Sequence, residues 1–197
     1  GLLAYESLFA RDLNLLLGAV ALAQAIRVIE QIGWHDIIEH ESLLTHYALE
    51  RIKKIPGITL YGDKELATVA DRLGVITFNI KELNHALVAS ILSYEWGIGT
   101  RNGCFCAHPY VKCLLDVSEA EATDMETRIL ARDRSTLPGF VRASFGIYNT
   151  KEEVDVLCEA LSAIAKGKYR DGYLLNKERG EYYRTDVTEE FEKYFSL

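Results

Sequence analysis

The distribution of apolar positions predicts a helical first part of the chain. Residues Gly18–Ile32 are apolar on nearly every side of a predicted helix, and Asp36–Ile55 repeats apolar residues at helical spacing until Pro56 and Gly57 end it. A helix that is apolar all round is normally buried all round. Two interpretations stay open for the first helix. Its own domain buries it, or it packs against another domain or subunit.

The pattern after residue 57 mixes strands and helices without regular alternation. It predicts four strands, Ile58–Tyr61, Val75–Ile80, Ile98–Arg101 and Phe140–Tyr148. It predicts helices at Asn84–Trp96, at Ser118–Arg132 and after Thr150, with a helical turn at Val111–Leu115. This mixture predicts an α+β fold with a small, mainly antiparallel sheet packed with helices.

The last thirty residues, Lys168–Leu197, differ from the rest because they are rich in tyrosine and charge. Residues Gly172–Arg184 are expected to form a hairpin around Arg179 and Gly180, and Thr188–Phe195 a short helix. No arrangement of reactive groups is evident in this extension. The sequence therefore indicates a flap that is packed by its tyrosines.

Composition excludes some classes of partner. The chain is 49% hydrophobic and carries a net charge of -7, whereas a nucleic-acid-binding protein normally shows a basic patch. The longest apolar run, Leu15–Ala23, is far shorter than the ~18 residues that span a bilayer. Four cysteines without secretory features fit a reducing compartment. We therefore expect a cytoplasmic protein that binds neither nucleic acid nor membrane.

The segment Arg101–Tyr110 places two thiols, a guanidinium and an imidazole within a few residues, and three interpretations stay open. The first is a zinc site that uses four side chains, Cys104, Cys106, His108 and Cys113. The second is a set of small, partly buried cysteines without a chemical role. The third is a nucleophilic cysteine that the positive charge of Arg101 or His108 activates as a thiolate.

Arg142 is a second candidate. It lies in the predicted strand Phe140–Tyr148, on the side opposite the apolar residues Val141 and Ala143. A guanidinium held on a strand has a rigid fork that suits a carboxylate ligand. The alternative is a structural ion pair with one of the many acidic side chains.

Two motifs together resemble a known family. Residues Arg101–Pro109 (RNGCFCAHP) and Val141–Asp155 (VRASFGIYNTKEEVD) are similar to the end of class V aminotransferase-fold enzymes, and above all to group II cysteine desulfurases and selenocysteine lyases. The loop also looks like that of molybdenum-cofactor sulfurases. The resemblance covers roughly residues 12–167. It implies the C-terminal small domain of a fold-type I pyridoxal-phosphate enzyme over residues 1–167, with residues 1–35 as a linking helix and residues 168–197 as an extension.

The resemblance also implies roles for individual residues. Cys106 occupies the position of the family's persulfide-forming cysteine, and Arg142 that of the arginine that binds the substrate carboxylate. Arg101 matches an arginine that positions the substrate or the loop. The implied reaction is C–S bond cleavage of cysteine, in which pyridoxal phosphate is the electron sink. Implied partners are a cysteine-like amino acid, a second copy of the enzyme and a sulfur-acceptor protein.

The chain departs from the family in ways that bear on its activity. No lysine lies in the histidine–lysine context of the family's Schiff-base lysine, and of a Gly-Thr-Pro-Asn phrase that contacts the cofactor only Asn14 agrees. Cys104 and Phe105 replace histidines that many desulfurases have. We therefore expect the chain alone to bind no cofactor covalently and to have no catalysis of its own, although its parent would be a transferase or lyase. The alternatives are another aminotransferase-like or epimerase-like class V member, in which Cys106 is incidental, and a non-enzymatic metal-binding or interaction module.

Overall fold

The fold is known from a computed structural model. It describes the backbone of residues 2–62 and 73–187 and the side chains of residues 16–62 and 73–187. The helix predicted at Thr188–Phe195 lies outside the described residues.

Two helices form the first part of the chain. Helix α1 spans Leu2–Ile32, and helix α2 spans Trp34–Ile52, with Gly33 at a φ of 100° between them. The predicted start of the first helix at Gly18 is therefore wrong, since the helix begins near the start of the chain. The second helix ends earlier than predicted, because Ile55 donates to the carbonyl of Ile52 in a tightened turn before Pro56. A residue before proline disfavours the helical conformation.

The part of helix α1 whose side chains are described, residues 16–32, is not buried against the rest of the described chain. Its apolar side chains from Leu16 onward are largely exposed, with Leu16 at 65% and Val20 at 66% of full exposure. This corrects the interpretation in which the domain covers its own first helix. The other interpretation, in which this helix packs against another domain or subunit, stays a prediction.

No single helix in the described part of the chain is both long and apolar enough to cross a bilayer. Residues Leu16–Ile32 and helix α2 have the length and apolar composition of a membrane span only when they are taken together, and the two helices are bent by 78° relative to each other.

The predicted strands assemble into one antiparallel sheet. Strands β1 (Ile58–Tyr61), β2 (Val75–Ile80), β3 (Arg101–Gly103) and β4 (Phe140–Ser144) lie in the order β1-β2-β4-β3. The third strand lies later than the predicted Ile98–Arg101, and the fourth ends before the predicted Tyr148. Beyond Ser144 the chain turns, because Asn149 accepts from the backbone N–H of Gly146 through its side chain. The predicted α+β fold is confirmed.

The two faces of this sheet differ in composition. The inner face is apolar and buried, and it consists of Leu60, Ile76, Phe78, Ile80, Val141 and Ala143. It packs against α2, α3 (His85–Trp96) and α6 (Lys151–Ala165), whose buried stripe runs from Val154 to Ile164. The capping box predicted at the start of α6 is confirmed, because Thr150 and Glu153 exchange both hydrogen bonds. The other side of the sheet, the outer face, carries Tyr61, Thr77, Arg101, Phe140, Arg142 and Ser144.

Two shorter helices follow the third strand. Helix α4 spans His108–Leu114, and helix α5 spans Glu119–Leu130. Val111 is the buried residue of α4, whereas α5 buries none of its residues. The predicted charged surface helix is therefore confirmed, with its start one residue after the N-cap Ser118.

The predicted hairpin of the extension is also confirmed. Strands β5 (Tyr173–Asn176) and β6 (Glu181–Arg184) pair antiparallel on either side of the turn that contains Gly180. The Tyr173 hydroxyl donates to the Glu95 carboxylate over 2.8 Å, so the hairpin is fastened to α3. Burial and the hydrogen bond to Glu95 raise the pKa of Tyr173 to about 12, so this hydroxyl remains a donor at neutral pH.

Candidate functional site

The loop after β3 makes a tight turn that puts two side-chain-bearing residues in the left-handed region. The backbone N–H of Ala107 donates to the carbonyl of Cys104 over 2.8 Å, and φ is 52° at Phe105 and 60° at Cys106. For a residue with a Cβ, this conformation costs about 1–2 kcal/mol relative to the right-handed one, because Cβ approaches the following carbonyl oxygen. Strain of this kind concentrates at functional sites, where packing around the loop maintains it.

The turn gives its two thiols opposite surroundings. Cys106 is exposed and has no hydrogen-bond partner in the described part of the chain. The Cys104 thiol is partly buried and donates to the carbonyl of Pro138 over 2.9 Å. Burial raises the pKa of Cys104, and the nearby Lys112 ammonium lowers it by less. Cys106 is therefore the accessible thiol, and Cys104 is a structural donor that stays protonated at neutral pH.

The two candidate arginines lie side by side on the outer face. Arg101 of β3 is directly opposite Arg142 of β4 in the antiparallel register, and such partners project from the same face. Arg142 makes no ion pair with any residue in the described ranges, and its Nε is buried without a hydrogen-bond partner there. The alternative of a structural ion pair for Arg142 therefore finds no partner among these residues.

Phe105 links the thiol turn to Arg142. The guanidinium carbon of Arg142 lies 4.9 Å from the centroid of the Phe105 ring, which is a cation–π contact. The turn thus places the Phe105 ring against the Arg142 guanidinium, while Cys106, the next residue in the chain, stays exposed. Sequence reasoning treated Phe105 only as a departure from a family pattern and missed this role, since the contact depends on the register of β3 against β4.

A set of close contacts fixes the base of the loop. A Cβ on Gly139 would lie 2.7 Å from the Cα of Gly103, so only glycine at position 139 allows these two backbone segments to approach so closely. His85 lies within 3.0 Å of the Leu137 carbonyl through Nε2 and within 3.2 Å of Asn102 Oδ1 through Nδ1. Burial lowers the pKa of His85, so its neutral form supports the loop at neutral pH. These residues were not among the sequence candidates.

The zinc interpretation finds no ligand cluster. Within residues 16–62 and 73–187, no three histidine, cysteine or acidic side chains are grouped so as to hold a metal ion. The four proposed ligands, Cys104, Cys106, His108 and Cys113, are thus not brought together. Cys104 points to the Pro138 carbonyl, whereas Cys106, His108 and Cys113 are exposed.

The chemical groups around the thiol loop indicate which kind of ligand suits it. No lysine lies on any of the four strands, and the groups near the loop include the exposed Cys106 thiol, the guanidiniums of Arg101 and Arg142, and the Lys112 ammonium. A thiol can attack sulfur, and guanidiniums can hold a carboxylate. This set of groups suits the carboxylate and the sulfur of an amino-acid substrate.

Comparisons with known proteins show one family over most of the chain. The model of the family Aminotransferase class-V matches residues 14–157. A probable cysteine desulfurase of Halalkalibacterium halodurans is 36% identical over 144 residues, which are 73% of this chain and 29% of that protein. A probable cysteine desulfurase of Staphylococcus aureus strain COL is 39% identical over 153 residues, which are 78% and 31% of the two chains.

A solved structure is similar over the same region. The apo structure of cysteine desulfurase from Thermococcus onnurineus NA1 superposes with a TM-score of 0.60 and 31% identity, covering 76% of this chain and 31% of that one. This chain thus spans less than a third of the length of the relatives it matches. The family match ends before the hairpin of β5 and β6, which is therefore outside it.

Proposed function

Because this chain belongs to the class V aminotransferase family, we propose that it supplies the thiol and the substrate-binding arginines of a pyridoxal-phosphate-dependent cysteine desulfurase-like enzyme. The observation that carries the proposal is the strained turn, which leaves Cys106 exposed and places the preceding residue, Phe105, against Arg142 on the outer face. Arg142 has unused donors, and it is held in place by Phe105. Two relatives that match most of this chain are described as probable cysteine desulfurases.

The chain's own residues divide the work in the following way. Arg142 receives the carboxylate of the substrate cysteine on its planar fork, and Arg101, opposite it in the register, adds positive charge on the same face. The Cys106 thiolate attacks the substrate sulfur, so that an S–S bond forms while the substrate C–S bond breaks. Persulfide on Cys106 and alanine are the products. Pyridoxal phosphate supplies the electron sink for this cleavage when it is bound in the full enzyme.

The rest of the enzyme completes the site in this proposal. Residues 1–167 form the small domain, with residues 1–35 as the linking helix, and the exposed apolar side chains of α1 pack against the remaining part of the enzyme or its second copy. Burial of this surface is favourable at about 25 cal/mol per Å². The cytoplasm, a dimeric state and a sulfur-acceptor protein belong to the same proposal.

The chain alone is proposed to be inactive, because none of its lysines lies in the context of the family's Schiff-base lysine. When pyridoxal phosphate is added to the purified chain, we expect no absorbance band of an internal aldimine. A borohydride-stable adduct on one lysine of this chain would contradict the proposal.

The experiment that tests the proposed function uses the full-length enzyme loaded with its cofactor. The Cys106→Ala variant should lose sulfur release from cysteine and keep the absorbance of the bound cofactor. The matched control is Cys113→Ala, which removes another exposed thiol and should leave sulfur release unchanged. Unchanged sulfur release in Cys106→Ala would reject the persulfide role and favour another class V reaction.

The role of Arg142 is tested in the same assay. Arg142→Gln removes the guanidinium fork that holds the substrate carboxylate. Loss of a charged hydrogen-bond pair weakens binding by about tenfold to hundredfold. We expect the KM for cysteine to rise by that factor. An unchanged KM would show that the substrate carboxylate is held elsewhere.

A further inference from the structure

The extension beyond the family match lines a cavity beside the thiol loop. This cavity has a volume of about 370 Å³, and both the segment from Thr100 to Cys104 and the hairpin turn Arg179–Glu181 line it. Arg134 also lines the cavity. The hairpin of β5 and β6 therefore contributes one part of the cavity wall.

The hairpin wall is held close to the body of the domain. The backbone N–H of Arg134 donates to the Lys177 carbonyl over 2.7 Å, and the Arg134 guanidinium donates to the Glu178 carbonyl over 2.8 Å. A Cβ on Gly180 would lie 2.8 Å from the carbonyl oxygen of Arg134, so the turn is in direct contact with this segment. The Ser90 hydroxyl also donates to the Tyr182 carbonyl over 2.8 Å. Such anchoring keeps the cavity preformed.

The cavity is rich in unused positive charge. Arg101 and Arg179 make no hydrogen bond or ion pair through their side chains with any residue in the described ranges, and Arg134 uses its guanidinium only for the Glu178 carbonyl. Glu181 is the one carboxylate among the lining residues, and burial keeps the nearby His85 neutral by lowering its pKa. Three guanidiniums against one carboxylate leave about two positive charges, although the whole chain carries a net charge of -7.

The wall also contains an unsatisfied polar group. The hydroxyl oxygen of Thr100 is buried without a hydrogen-bond partner in the described part of the chain, and Thr100 lines this cavity. A buried hydroxyl without a partner costs free energy that a bound ligand can recover. A doubly charged oxyanion would match both the excess charge and the forked geometry of the guanidiniums.

From these observations we propose that this cavity binds the phosphate group of a small phosphorylated molecule. Arg179 of the extension and Arg134, which contacts the extension, are its specific ligands. The site goes beyond the proposed function. The two sites share Arg101, but phosphate binding can be measured without cysteine turnover, so either proposal can fail while the other holds. Cys104 lines the same cavity, so an occupant would also shield the Cys104 thiol.

The test measures calorimetric binding of glycerol 3-phosphate, inorganic phosphate and succinate to the chain at low ionic strength. We expect saturable binding of one glycerol 3-phosphate per chain, and about tenfold weaker binding to Arg179→Gln, because one charged hydrogen-bonding group is lost. Equal affinity for inorganic phosphate would show that the phosphate group alone is recognised. Tighter binding of succinate than of both phosphates would overturn the assignment.

A matched control separates a specific site from diffuse charge. Arg132 carries the same charge close by, but its side chain is 82% exposed, pairs with Glu178 and does not line the cavity. Arg132→Gln should therefore bind glycerol 3-phosphate within about twofold of the unchanged chain, since surface pairs contribute little. Equal weakening in Arg132→Gln and Arg179→Gln, or no saturable binding at all, would overturn the proposal.

Alkylation gives an independent readout. Saturating glycerol 3-phosphate should slow alkylation of Cys104 and leave the exposed Cys113 unaffected. Unchanged labelling of Cys104 at saturation would contradict occupancy of this cavity. Because a Cys106→Ala variant keeps every residue that lines the cavity, it should bind glycerol 3-phosphate normally even if the proposed desulfurase role fails.

Discussion

The inner and outer faces of the sheet are built from the same strands, yet they meet different surroundings. On β4, Val141 is completely buried against the helices, whereas its neighbour Arg142 lies on the outer face with a buried Nε that has no partner in the described ranges. The inner face maximises apolar burial. The outer face retains the unpaired Nε of Arg142. The turn next to it holds the exposed Cys106 and has two residues at positive φ. The inner face therefore stabilises the domain, whereas the outer face carries groups that are available to bind a ligand.

The largest expected effect is on the inner face. Phe78→Ala removes a side chain that is fully buried at the centre of the core, and such truncations lower the free energy of unfolding by about 3–5 kcal/mol. The matched outer-face control is Thr59→Ala on the neighbouring strand β1, where the side chain is exposed and the expected change is within about 0.5 kcal/mol. Denaturant unfolding of both variants measures the difference. Similar losses in the two variants would remove the distinction between the faces.

A second prediction concerns the contact between Phe105 and Arg142. A double-mutant cycle with Phe105→Leu and Arg142→Met should give a coupling of about 0.5–2 kcal/mol in the free energy of unfolding, because the guanidinium loses the face of the ring. Chemical unfolding of the four proteins in the cycle gives this value. Additive effects would mean that the turn and the arginine are energetically independent.

The strained turn should show a gain when it is relaxed. Cys106→Gly is expected to raise the free energy of unfolding by about 1 kcal/mol, because glycine adopts a φ of 60° without the Cβ penalty. Cys106→Ala retains a Cβ and should leave stability nearly unchanged, so this pair of variants isolates the backbone term. If both variants unfold at the same denaturant concentration, the turn stores no strain.

The smallest expected effect is a pH dependence at the base of the loop. Burial lowers the pKa of His85 from its ordinary value of 6.5, so the unfolded chain binds this proton more readily than the folded one. Stability from His85 is therefore present above pH 6.5 and is lost as the pH falls toward the lower folded value. His85→Gln should flatten this slope in thermal unfolding between pH 7 and pH 5. An unchanged slope would assign the dependence to other groups.

The sequence predicted much of the fold because the relevant signals are local. The stripe of α6 with its capping box, the strands of the inner face and the hairpin with Gly180 all follow from periodicity and turn residues. The ends of β3 and β4 were displaced because side-chain bonds such as that from Asn149 redirect the chain.

The candidate site was predicted in its parts but not in its arrangement. Motif resemblance singled out Cys106, Arg101 and Arg142, and the register of β3 with β4 places the two arginines together. The role of Phe105 and the cavity beneath the hairpin depend on contacts between distant segments. The Arg134–Lys177 bond is an example, and no local pattern in the sequence encodes it.

The most direct test of the central claim is the location of the transferred sulfur. Full-length, cofactor-loaded enzyme is mixed with one equivalent of cysteine, and its thiols are trapped and digested for mass spectrometry. We expect one added sulfur atom on the peptide position of Cys106, with Cys104 and Cys113 unmodified. An added sulfur on Cys104 alone, or release of sulfur without any modified Cys106, would contradict the account.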